Sequence, residues 1–466
     1  MRTQCTSKKI IFQAHNSKKV EASFDGSRIT SDAGCLLLRE IEKKFNIIKR
    51  FRTCFQDFRY QKKVEHSLYS LLLQRIMGLA AGYEDLNDHD QLRHDLFHAL
   101  LADTKDITGQ SRKHERDKGI PLAGSSTLNR LELSVETDPQ HDRYKKFAVN
   151  NEAVEDFFID QFIESYATVP EEIVLDFDAT DNPLYGEQEG HYFNGHYDSY
   201  CYLPLYVFCE KRFIAGMLRT SDHDASSGTV KILEKIVSRC RNVWPETKIV
   251  FRGDGGFCRD EIMTWCENNG VYYVIGLAKN KRLTDILSTQ MMNAEIKYHG
   301  TKEPARFFKD FTYRTLKSWS CERRVVGKAE HIAKGSNPRF IVTNFKRNEW
   351  KTRPLYEKLY CHRGEMENRI KEQMLLFSDR SSTHYISSNQ LRLWFSAVAY
   401  MLVQKLREVG LKNTDFQNAQ CDTIRYKLLK IGAQIKVSVR RVYLSFSESF
   451  PYKNVFFQCM ANLQIE

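Results

Sequence analysis

No CxxC pair occurs in this chain, although 12 cysteines are spread over its 466 residues, and no two of them stand closer than eight positions apart. That spacing excludes zinc ribbons and thioredoxin-like motifs. Scattered cysteines without a signal peptide fit a reducing cytosol, so a cytoplasmic protein is expected. The longest near-apolar run, Tyr200 to Cys209, has ten residues and contains Pro204. It is too short to span a bilayer, and no membrane partner is expected. Internal repeats and low-complexity segments are absent. No GxSxG elbow supports Ser/His/Asp catalysis. His94 and His98 are four apart, but HDLFH lacks the glutamate of a zincin, so both read as core or surface histidines.

What the chain does have is positive charge. Net charge is +11 despite 59 acidic residues, and the sequence pI is about 8.9. That surplus makes a polyanion a plausible partner. Hydrophobic residues make up 42%, enough for a sizeable core, and the length allows two to four domains. Residues 1–170 read as mainly helical and rich in basic residues, with runs at Leu36–Phe45, His66–Leu79 and Asp142–Tyr166. SSTLNRLE, Ser125 to Glu132, reads either as a helix-turn-helix fragment or as an ordinary capped helix.

The pattern changes at Pro170. Strand signals fall at Ile173–Phe177, His196–Cys209, Arg212–Leu218, Lys248–Phe251 and Val271–Gly276, with helices at Val230–Arg241 and Arg259–Asn268. Residues 285–350 read as a basic, β-rich insertion. A helix around Tyr360 and an apolar helix at Leu391–Val409 follow. Residues 171–284 and 351–415 then form two parts of one catalytic core, and 416–466 a C-terminal region. The order β, β, β, α, β, α, β, interruption, α is that of a ribonuclease H-like (RNase H-like) α/β fold, a mixed sheet flanked by helices.

YCHRGEMENRIKE, Tyr360 to Glu372, has an unusual helical face. At about 100° per residue, Tyr360, Arg363, Glu367 and Lys371 fall within about 80° of one another. Glu365, Arg369 and Glu372 lie on the other side as a solvated charge pattern. The face therefore gathers a phenol, two cations and one carboxylate, a set suited to anions and to a metal. Two further acids stand at strand ends: Asp178 in LDFDATDNP and Asp254 in IVFRGDGGF. Ligands of open α/β sheets gather beyond strand carboxyl ends, so Asp178, Asp254 and Glu367 can converge. Three hard oxygen ligands suit Mg²⁺ or Mn²⁺, and a pair of such ions serves phosphoryl transfer. Singly, Asp178 also reads as an Asx turn before Pro183, Asp254 as a turn residue, and Glu367 as a partner of Arg363 or Lys371. Asp176, on the same strand face as Asp178, is its competitor.

LDFDATDNPLYGEQEG, RGDGGFC and YCHRGEMENRIKE together resemble the three catalytic blocks of bacterial insertion-sequence transposases of the DDE type, group 1, and most of all the IS-thirteen-eighty group. The resemblance covers nearly the whole chain. It implies an RNase H-like core with a β-rich insertion before the last catalytic helix and a mainly helical N-terminal DNA-binding region. It also implies Asp178, Asp254 and Glu367 as catalytic, Mg²⁺-holding residues, with Tyr360, Arg363 and Lys371 binding DNA phosphates. The implied activity is cleavage and strand transfer at terminal inverted repeats, with inverted-repeat and target DNA as partners and a homodimer at work. The family's signature lysine falls at Met374 here; Lys371 stands one turn earlier on the same face. A structure-selective RNase H-like nuclease and a domesticated non-catalytic DNA-binding protein are the alternative readings.

Overall fold

The computed structural model describes residues 9–134 and 144–464, in two compact units. One comprises residues 149–404, the other residues 9–134, 144–148 and 405–464.

The 149–404 unit is built on one large mixed sheet. Its strands are β1 (Glu172–Ala179), β2 (Leu205–Cys209), β3 (Arg212–Met217), β4 (Lys248–Gly253), β5 (Tyr272–Leu277), β6 (Ala305–Tyr313), β7 (Arg323–Ile332) and β8 (Arg339–Thr343), in spatial order β3-β2-β1-β4-β5-β8-β7-β6. The β1–β4 and β4–β5 pairs are parallel, and the flanking pairs antiparallel. Strand alternation decides what each face buries. Ile249 and Phe251 of β4 enter a large core with Leu175, Phe177 and Tyr273. Helices α1 (Asn151–Glu164), α2 (Thr229–Val243) and α3 (Asp260–Asn268) supply Phe162, Ile236 and Met263 to that core. Val250 points the other way, into a smaller cluster with Val274, Ile341, Leu355 and Leu359. Asp176, Asp178 and Arg252 share that second face by parity.

The sequence expectations need several adjustments. The helix expected from Asp142 begins at Asn151, whose Ncap residue Asn150 accepts the Ala153 N–H at 3.0 Å; residues 142 and 143 lie outside the described residues. His196–Cys209 is not one strand: Ser199–Tyr202 pairs with Tyr192–Asn194 in a small separate sheet, and β2 begins after Pro204. Between 285 and 350 a helix was not foreseen. α4 (Ser288–Thr301) covers β6 and β7, burying Ala294. The β-rich stretch does not form a sheet of its own; β8 pairs with β5 and extends the central sheet.

The other unit draws on both ends of the chain. Helices Leu36–Phe45 and Leu68–Ala81 pack here, and strand Ala433–Val437 pairs with both Ile29–Thr30 and Val442–Phe446. Asp32 is 1% exposed and ties the two ends together. Its carboxylate accepts from Tyr83 Oη at 2.7 Å, meets His98 Nε2 at 2.9 Å and pairs with Lys430 Nζ at 2.6 Å. Burial pushes this carboxyl up, but His98 and Lys430 outweigh burial and hold it at about 2. His98 is thus a core histidine. Among the described residues no helix is long and apolar enough to cross a membrane.

Replacing Asp32 with Ala leaves the half-buried Lys430 ammonium unpaired. We expect a loss of about 3–5 kcal/mol in equilibrium denaturation. A variant as stable as the parent would show that this junction does not hold the two chain ends together.

Candidate active site

Strand register places the first two acids. Arg252 of β4 is level with Asp176 of β1, and Gly253 with Phe177. Asp254 therefore leaves β4 beside the point where Asp178 sits on β1, both at the carboxyl edge of parallel strands. Asp178 is 9% exposed; its Oδ1 accepts the Ala179 N–H at 3.0 Å. The Asp254 Oδ1 accepts the Gly256 N–H at 2.8 Å, which fixes the turn after β4.

The third acid arrives on a helical segment with uneven winding. Leu355–Tyr360 is π-type, Cys361–Arg363 is 3₁₀, and α5 (Gly364–Met374) is α-helical. The backbone stays right-handed at Tyr360 and Arg363, so both still project with the helix. Arg363 Nη1 donates to Asp178 Oδ2 at 3.1 Å, and Nη2 to Glu367 Oε1 at 3.3 Å. One guanidinium thus bridges the strand-end acid and the helical acid.

The electrostatics describe the same cluster. Burial raises Asp178 most, Arg363 opposes this, and the Asp254 and Glu367 charges add to the rise, to about 7. Burial works against the Arg363 charge, yet Asp178, Tyr360, Asp254 and Glu367 hold it above its ordinary value. Burial also raises Tyr360, with Asp254 adding to the rise. Five of the six expected residues are therefore joined in one electrostatic cluster centred on Arg363. Lys371 is exposed one turn beyond Glu367, and among the described residues it makes no ion pair.

The outer face of α5 is not the solvated pattern expected. Glu372 is 1% exposed and takes Arg369 Nη1 at 2.6 Å. The face turned inward also carries Met366, Ile370 and Gln373. Asp176, the competitor of Asp178, is held bidentately by Arg252, with Nη2–Oδ2 at 2.7 Å. Arg252 Nη1 also donates to the Leu359 carbonyl at 2.6 Å. Asp176 thus anchors the segment that carries Tyr360 and is not free to act.

Several residues here were missed in the sequence. A cleft of about 320 Å³ is lined by Asp178 and Asp254 with Asn194, His196, Tyr197 and His223. Burial raises the Tyr197 hydroxyl to about 12, and the charges of Asp181, Asp178 and Asp254 contribute. Arg219 holds the cleft wall by donating to the carbonyls of Leu203, Ala225 and Ser227. Asp222 pairs with His223, and Asp224 with Arg259 and Ser226. Gly276, next to last in β5, lies under Tyr360; a Cβ there would lie 2.6 Å from Tyr360 Oη and 2.9 Å from the Gly255 nitrogen. Arg252 was visible as a charge at an inward position of an apolar strand. The others carried no local signal.

The donor set is three carboxylates, hard oxygen ligands whose mutual repulsion a divalent cation relieves. In kind they fit a metal of the Mg²⁺ class. As placed, Arg363 stands between two of them, and among the described residues no group of three His, Cys, Asp or Glu side chains is close enough to hold an ion.

The model of the family described as "Transposase DDE domain group 1" matches residues 12–465. The chain belongs to this family of DDE transposases. As a DNA transposase it catalyses DNA cleavage and transfer, and members of the family generally use divalent metal ions. Among curated proteins nothing matches. A solved structure described as "Cryo-EM structure of piggyBac transposase synaptic complex with hairpin DNA (SNHP)" is similar at 12% identity and a TM-score of 0.41, over 86% of this chain and 81% of that one.

Two outcomes test the geometry of the transposase site. In Gly276→Ala the new methyl meets backbone of the Asp254 turn as well as Tyr360. A cost of about 1–3 kcal/mol in denaturation and a loss of cleavage are expected; full activity would mean that the close approach does not position Asp254. For Asp178 the folded value lies above the ordinary 3.8. Its contribution to stability is therefore complete below the unfolded value and lost as pH rises through about 7. The melting temperature of metal-free Asp178→Asn should gain on the parent between about pH 5 and about pH 8. A constant gap would count against a buried, crowded carboxyl.

Proposed function

We propose that this transposase binds the terminal inverted repeats of an insertion sequence and performs cleavage and strand transfer at Asp178, Asp254 and Glu367. The central sheet is read as an RNase H-like core, and residues 1–170 as a mainly helical DNA-binding region. One observation carries the site assignment: Asp178 and Glu367, 189 positions apart by number, both reach Arg363, while Asp254 leaves the neighbouring strand end.

Asp178, Asp254 and Glu367 would hold Mg²⁺, with Mn²⁺ able to substitute. When bound, the metal supplies Lewis-acid stabilisation of the phosphate and an activated oxygen nucleophile. The protein's own groups do the rest. Arg363 presents a planar fork that serves carboxylates here and matches two phosphate oxygens equally well. Tyr360, wedged over Gly276, offers a phenol beside Asp254 for the same phosphate. Lys371 adds a cation one turn further along, suited to the DNA flank. Burial of Asp178 strengthens its contact with Arg363, while Glu367 and Lys371 face solvent. Two element ends must be paired, so the working form is a homodimer, soluble in the bacterial cytoplasm and nucleoid-associated when bound to DNA.

In a cleavage assay on a labelled element end with Mg²⁺, Asp254→Asn should lower the rate by a factor of about 10² or more. Undiminished cleavage would remove Asp254 from the site. Glu367→Gln should be more damaging than Glu365→Gln; the reverse order would refute the choice of helix face. Joining of the cleaved end to a target duplex separates a transposase from a structure-selective nuclease.

A further inference from the structure

In the unit formed by the two chain ends, a groove of about 770 Å³ runs along the start of helix Ser125–Glu132. Six cationic side chains line it, namely Arg59, Lys63, Arg93, Arg112, Lys113 and Arg130, against two carboxylates, Glu65 and Asp90. Both carboxylates are engaged. Glu65 pairs with Arg112 Nη2 at 3.0 Å, and Asp90 accepts the Ser125 N–H and Oγ at 2.9 and 2.8 Å. The helix end is therefore already satisfied, and attraction for an anion comes from the cations.

Those cations are incompletely used. Arg59 pairs with Asp57 outside the groove. Lys63, Arg93, Lys113 and Arg130 make no ion pair among the described residues. The Nε atoms of Arg93 and Arg112 are buried without a hydrogen-bond partner. Arg112 Nη1 instead meets His66 Nε2 at 2.6 Å. Burial, then Arg112, Arg59 and Arg93, lower His66 to about 4, so it stays neutral and accepts from the guanidinium. The floor is kept open by Gly124, where a Cβ would lie 2.8 Å from Arg93 Nη1 and from Asp90 Oδ1.

We propose that this groove is a docking site for the sugar-phosphate backbone of duplex DNA, holding the DNA in place without reading its sequence. The assignment rests on the reading of the chain as a DNA-acting enzyme. So many unpaired cations exceed what a single small anion needs, whereas a backbone offers successive phosphates. A single strand calls for a row of aromatic faces on which bases stack, and the lining supplies one tyrosine, Tyr60. Cations that grip the backbone position a duplex but by themselves carry no sequence information.

Fluorescence anisotropy of labelled duplexes with the full chain tests this. K63Q/K113Q/R130Q should weaken duplex binding at low salt by about tenfold or more. It should also flatten the plot of log K against log salt by about 0.9 for each phosphate that is no longer neutralised. The weakening should be equal for an element-end duplex and a scrambled one. The charge-keeping K63R/K113R/R130K should bind like the parent, and K297Q, an exposed change in α4, should do the same. The arginine–lysine swap failing alongside the glutamine variant would overturn a charge-based groove. Parent-like binding by K63Q/K113Q/R130Q would overturn it as well, and so would a weakening confined to one duplex sequence, to single strands or to RNA. The catalytic reading fails separately. If Asp254→Asn cleaves normally while K63Q/K113Q/R130Q loses duplex binding, the groove stands and the catalytic assignment falls; the opposite pair of results removes the groove and keeps the carboxylates.

Discussion

Asp178 and Asp254 at neighbouring strand ends and Glu367 on the facing helix repel one another, and the unit of residues 149–404 is organised around that repulsion. Asp178 bears most of it, because burial strips water from its charge while Asp254 and Glu367 add theirs. Arg363 relieves part of the load by bridging Asp178 and Glu367. A site held in this state favours any cation that neutralises the cluster better than one guanidinium does.

The cluster exists only because the uneven helical segment is held against the sheet. Arg252 does this twice, through its fork on Asp176 and its bond to the Leu359 carbonyl. Leu355, Tyr356 and Leu359 fill the apolar cluster on the same face. Gly276 lets Tyr360 and the Asp254 turn approach closer than any side chain would allow. Asp176 and Asp178, two positions apart, thus have opposite duties. One is spent on a buried ion pair that fixes the segment, and the other faces the cleft. A charged residue at an inward strand position has to be paired, and here the pairing is what builds the neighbouring site.

The unit made from the chain ends follows the same electrostatic logic with a different result. Around Asp32 the charges are matched, and the network joins residues some 400 positions apart into one core. Along the groove by helix Ser125–Glu132 four of six cations make no ion pair among the described residues, and the Nε atoms of Arg93 and Arg112 are buried and unbonded. Charge matched inside a unit favours stability; charge left unmatched at its surface favours an anionic partner.

Much of this was legible in the chain itself. Strand-end position singled out Asp178 and Asp254, and helical periodicity preferred Glu367 to Glu365, because both signals are local and repeat every two or about 3.6 residues. The order of the first five strands was readable for the same reason. Other features depended on partners distant in sequence. The α4 helix was hidden by weak amphipathicity and a neighbouring β-rich text, and the joining of β8 to β5 was set by pairing rather than by local pattern. Whether Glu372 was solvated or buried, and whether Asp176 or Asp178 was free, turned on Arg369 and Arg252, whose reach no spacing rule encodes. The sequence by itself singled out the candidate residues and the elements that bear them. Only the tertiary structure decided which charges meet, because burial and pairing, not residue type, settle whether a carboxylate anchors the fold or faces the cleft.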